Sequence, residues 1–167
     1  MSYLIDANVL IAAHRSYYSF GICPGFWEGL LGSHEAREII SLDRVKDEMS
    51  HEGDALAAWI SKDVPTSFFE KSDGADVVTE FAAMMQWAQD ATQYKQEALS
   101  EFASVADAWL VAYAKVKSLK LVTLETLRNP NARKRVPIPN VCAEFGVTCI
   151  TTFEMLEGLG MKFDLSS

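Results

Sequence analysis

Four carboxylates in this chain matter for where they fall: Asp6, Glu48, Asp107 and Glu125. Asp6 ends the apolar run Tyr3-Leu4-Ile5, and Glu125 follows Leu121-Val122-Thr123-Leu124. Each therefore reads as an acid delivered at the C-terminal end of a buried strand. Glu48 lies near the end of a helical segment whose Val45 and Met49 share an apolar face, with Asp47 beside it as a rival for the same role. Asp107 sits in an otherwise apolar helical stretch, where it reads as a helix cap, as a site acid, or as both. Packed together at the strand ends, the four would repel one another unless cations lay between them. Hard carboxylate oxygens select Mg²⁺ or Mn²⁺ over zinc, and such ions activate water and stabilise a phosphodiester under in-line attack. The chemistry expected is metal-dependent phosphodiester hydrolysis.

The elements that must position these acids alternate. Residues 3–5 predict a strand and 17–25 a loop broken at Cys23-Pro24-Gly25. Two short helices are expected over 26–31 and 33–40, the second capped by Ser33, followed by helices over 41–49 and 54–61. Residues 66–69 read as a short strand, and 75–89 and 95–117 as long helical periodicities. A second clear strand over 120–124 precedes a loop at Asn129-Pro130-Asn131, whose turns suggest mobility. A helix over 140–145, a last strand over 147–151 and a helix over 153–159 capped by Thr152 close the chain. Strands alternating with helices imply an α/β fold, a central parallel sheet of about four to five short strands flanked by helices, in a single domain over 1–167.

With 49% apolar and 23% charged residues, the chain can bury a core, which excludes a disordered tail. Its net charge of −8 argues against binding nucleic acid or membrane by bulk positive charge. The segment 115–135 is the exception. Its seven cations face one anion, a local +6 that leaves −14 on the remainder. Within it, Arg128, Arg133, Lys134 and Arg135 follow the strand that carries Glu125, where they could hold an RNA backbone beside the metal. Cys23, Cys142 and Cys149 lack paired metal spacing and read as core thiols of a reducing compartment. The first residues show no signal-peptide pattern and no run is long enough to span a bilayer, so a cytoplasmic protein is expected. His14, His34 and His51 are scattered, with no nucleophile motif near them.

The chain also resembles the PIN-domain ribonucleases, which include the VapC-type toxins of bacterial toxin–antitoxin pairs. Leu4-Ile5-Asp6-Ala7-Asn8-Val9-Leu10 is similar to that family's first strand, with Asp6 its first metal ligand and Asn8 the polar residue two positions on. Val45-Lys46-Asp47-Glu48 resembles the segment that supplies its glutamate, and Ala106-Asp107-Ala108-Trp109 the helix start that bears its next aspartate. Leu121-Val122-Thr123-Leu124-Glu125 is similar to its fourth-strand motif, with Thr123 the hydroxyl near the metal and Glu125 where aspartate is commoner. The stretch from Ile138-Pro139-Asn140-Val141-Cys142 to the final helix resembles a subgroup with a helical insert before the third acidic motif. The resemblance implies a three-layer PIN-like fold and an endoribonuclease using Mg²⁺ or Mn²⁺ held by Asp6, Glu48, Asp107 and Glu125. It further implies a toxin restrained by a cognate antitoxin protein, and a homodimer.

Two other readings stand beside this one. The first is a catalytically degenerate PIN-like binding protein, to which Glu125 lends weight. The second is a receiver-type phosphoacceptor module, which also uses a strand-end aspartate, a strand-end threonine and Mg²⁺ but would need a paired acidic motif in its first strand.

Overall fold

The structure, a computed structural model, describes residues 2–50 and 53–165; His51 lies outside them. Five parallel strands form one sheet in the order β3-β2-β1-β4-β5: β1 (Tyr3–Ile5), β2 (Ile39–Leu42), β3 (Phe69–Glu70), β4 (Lys120–Val122) and β5 (Cys149–Ile150). Nine helices among the described residues flank the sheet, which gives the three-layer α/β architecture expected of a PIN-like fold. Tyr3, Leu4 and Ile5 are all buried, as befits the middle strand of a sheet covered on both faces. The two outermost strands are only two residues long, which limits the open edge.

The chain winds outward from β1 in one direction through β2 and β3, then returns to its other side with β4 and β5. The strand order reverses between β1 and β4, and in such sheets ligands bind outside the carboxyl ends at this point. Register pairs Ile5 with Val122, so the residues just beyond, Asp6 and Thr123, come side by side. Their backbones are held by the ladder: Asp6 N–H donates to Val122 O at 3.1 Å and Thr123 N–H to Ile150 O at 3.0 Å.

Four helices run α1 (Ala7–Arg15), α2 (Pro24–Glu35), α3 (Asp43–Ser50) and α4 (Ala55–Lys62), the last capped by the Asp54 carboxylate. Where a helix was expected over 33–40, α2 continues to Glu35 and the chain then enters β2. The turn passes through Arg37 at φ 63°, a left-handed position where glycine would ordinarily announce the break. Residues 66–68 form a 3₁₀ turn ahead of β3, so the strand expected over 66–69 begins only at its last position.

The periodicity over 95–117 resolves into α6 (Gln96–Ser104) and α7 (Asp107–Lys117), preceded by α5 (Ala75–Asp90). Val105 between them is extended, with no glycine or proline to mark the interruption. After β4 come α8 (Ile138–Phe145), ended by Gly146 at φ 70°, and α9 (Thr152–Gly158), with Thr151 rather than Thr152 as its cap. Thr151 and Glu154 form a reciprocal capping box. Strand β4 stops at Val122, two residues before the end expected for it. No helix among the described residues is long and apolar enough to cross a membrane.

Candidate acidic site at the switch point

Asp6 is the first residue after β1 and the cap position of α1, and only 2% of it is exposed. Its Oδ2 accepts a hydrogen bond from Thr123 Oγ1 at 3.3 Å. Burial, then the charge of Asp107, drives its carboxyl up to about 7, with Glu48 pushing the same way; the Asn8 amide and the Thr123 hydroxyl pull it down. Asn8 itself is exposed beside the site.

Asp107 is the first residue of α7, partly buried, with its carboxyl raised to about 6. Burial is the main cause and the Glu48 charge the next, opposed by Arg135. Since α7 returns through a tight turn at Ser118 into β4, its N-terminus lies at the carboxyl end of the sheet. Both aspartates thus sit at helix N-termini, where backbone N–H groups and the helix dipole favour an anion that burial disfavours.

Glu48 is more exposed and reaches the site by a hydrogen bond: its Oε1 accepts from Ala106 N–H at 3.0 Å. That bond satisfies an amide at the start of α7 from 58 residues away and explains why the break before Asp107 has no local signal. Glu48, rather than its neighbour Asp47, acts on both aspartates.

Glu125 departs from the expected placement. It lies in the loop three residues beyond β4, more than half exposed, where Arg135 Nη1 donates to its Oε1 at 3.1 Å. The strand-end counterpart of Asp6 is Thr123, buried to 3% exposure, and Glu125 acts on Asp107 only through its charge. Glu101 of α6, which carried no sequence signal, lines a small depression together with Asp107 and Arg135.

Arg133, Lys134 and Arg135 line an open groove of about 470 Å³ with Glu125, while Arg128 is exposed outside it. The loop is pinned rather than loose. Buried Asn140 accepts from Asn129 N–H at 2.8 Å and donates to Asn129 O at 2.7 Å, and Gln93 Nε2 donates to Ala132 O at 2.8 Å. These pins were not read from the sequence because asparagine in a helix gives no hint of a partner eleven residues away.

The aromatic residues after α1 divide between core and surface. Phe26 and Trp27 are buried, Tyr18 stacks on Phe26 at 4.6 Å, and Tyr17 is 76% exposed. Cys142 and Cys149 are free thiols that face each other, Cys149 lowered to about 7 by the hydrogen bond between them and Cys142 raised by it.

Among the described residues no three His, Cys, Asp or Glu side chains form a ready-made cage for an ion. The donor set nevertheless fits Mg²⁺ or Mn²⁺. Mg²⁺ is commonly held through one or two carboxylates, waters and substrate phosphate rather than by an all-protein cage. The crowding that raises Asp6 and Asp107 is the repulsion a divalent cation removes. No curated protein matches the chain. A family described as Domain of unknown function (DUF4411) matches residues 3–163, and the chain belongs to that family.

Proposed function

We propose that this protein is a metal-dependent endoribonuclease of the PIN type that hydrolyses RNA phosphodiester bonds with Mg²⁺ or Mn²⁺. The observation that carries the reading is the Asp6–Asp107 pair at the switch point, two carboxylates driven up by burial and acidic neighbours. Asp6 and Asp107 would hold the metal, Glu48 would face it from the rim, and Thr123 fixes the Asp6 carboxylate by its hydrogen bond. A bound ion would supply a water of lowered pKa and offset charge on the phosphodiester. Arg133 and Lys134 would hold the RNA backbone, and Arg135 balances negative charge near Asp107. In this reading the protein is the toxin of a toxin–antitoxin pair acting in the cytoplasm.

The degenerate binding scaffold is the second reading, favoured by the exposed, ion-paired Glu125. The receiver-type module is disfavoured by strand order, since the flavodoxin-like order 2-1-3-4-5 differs from β3-β2-β1-β4-β5. Incubating a mixed labelled RNA pool with the protein and Mn²⁺ or Mg²⁺ tests the first reading. Cutting that disappears with EDTA and with Asp6→Asn, in a variant that keeps its circular dichroism, is expected. Cleavage by Asp6→Asn at the parent rate would overturn the site assignment, and a folded, metal-replete protein that cuts nothing favours the scaffold.

A further inference from the structure

Beside the acidic pair, between α1 and the start of α9, lies a recess of about 170 Å³. Val9 and Ala13 of α1 form part of its wall, and Tyr17, Leu124 and Phe153 line it while remaining 76%, 52% and 58% exposed. Large apolar side chains left open around one concavity mark a place where something binds. Thr123 lines the same recess and donates to Asp6, so an occupant would lie one residue from the candidate metal-binding carboxylate.

The surroundings say what kind of occupant fits. The recess is small, suited to a single flat ring rather than to a helix face. Glu125, the residue after Leu124 of the recess, lines the groove in which Arg133 and Lys134 offer positive charge to a backbone. A cationic track with aromatic side chains along it is the arrangement that single-stranded nucleic acid uses, phosphates on the cations and bases on the rings.

We propose that this recess is a subsite for a nucleobase flanking the scissile phosphate, with Tyr17 and Phe153 as its stacking residues. This rests on the ribonuclease reading, and it adds a base-binding contact that neither the acids nor the basic loop provides.

The test is equilibrium binding, in EDTA and low salt so that nothing is cut, of a fluorescent single-stranded RNA and of the same RNA made abasic at one position at a time. The wild-type protein is expected to bind the intact RNA more tightly than one of the abasic versions. The double variant Tyr17→Ala with Phe153→Ala should lose roughly 5- to 150-fold in affinity and the base preference with it. Tyr17→Phe should retain both. Ala12→Phe, which fills the recess from its wall, reproduces the loss without removing either ring. Equal binding of intact and abasic RNA by the wild type overturns the subsite, as does a double variant that binds like the parent; the recess would then belong to a protein side chain. Metal-dependent cleavage is measured on the same preparations. Cleavage without base preference defeats the subsite alone, whereas absence of both cleavage and RNA binding defeats the ribonuclease reading and the subsite with it.

Discussion

Asp6 concentrates the energetic conflict of the fold in one side chain. A buried carboxyl whose folded pKa lies near 7, against an ordinary 3.8, binds a proton more tightly in the folded chain than in the unfolded one. Its contribution to stability is therefore full below about pH 4 and is lost as pH rises through about 7. Asp107, raised to about 6, acts in the same direction. In EDTA the urea midpoint should fall between pH 4 and pH 8, reflecting a loss of unfolding free energy on the order of 4 kcal/mol from Asp6 alone. Asp6→Asn should flatten that fall and be more stable than the parent at pH 8, and Mn²⁺ should restore the parent there. A midpoint that rises over this range would contradict the buried, crowded carboxylates. Asp6 was legible because a short apolar strand ended on it. Thr123 was credited as a neighbour of the metal only through family resemblance. What makes it the partner of Asp6 is the Ile5–Val122 register, which no single sequence displays.

At the level of elements, the hinge of the site is the interruption between α6 and α7. Without it Asp107 would be an interior residue of one long helix; with it, Asp107 opens a helix beside the strand ends. Glu48 supports this start by accepting from Ala106 N–H, so its two substitutions should behave differently. Glu48→Ala leaves that amide without its partner and should cost roughly 1–2 kcal/mol in a denaturant titration. Glu48→Gln keeps an oxygen acceptor and should stay near parental stability while weakening Mn²⁺ binding measured by calorimetry. Equal stability of the two variants would show that the hydrogen bond does not hold the helix start. The same long-range dependence explains why the sequence suggested continuous helix over 95–117: apolar spacing runs through Val105, and the group that stabilises the break comes from α3. At β2, Arg37 adopts a glycine-like turn without being glycine, and helix was expected where strand stands.

Over the whole molecule, charge is segregated, with an acidic body and a basic stretch over 115–135 that runs into the groove beside the site. RNA affinity should therefore fall as salt rises. Replacing Arg133 and Lys134 by alanine should flatten the log–log salt slope by roughly 1.4, about 0.7 for each lost contact to a single strand. An unchanged slope in a folded variant would remove the loop from the RNA path. The α/β class was legible because apolar runs alternate with helical periods, whereas β2 and the pinning of the basic loop by Asn140 were not, since their partners meet only after folding. Strand order carries one more consequence, for the growing chain. β1 is synthesised first yet occupies the centre of the sheet, and β4, which covers its second side, comes only at Lys120–Val122. Until then Asp6 has no Thr123 beside it, so a nascent chain carries no assembled pocket. Closing it is a slow, non-local step during which a bare strand edge is open to aggregation or to chaperones.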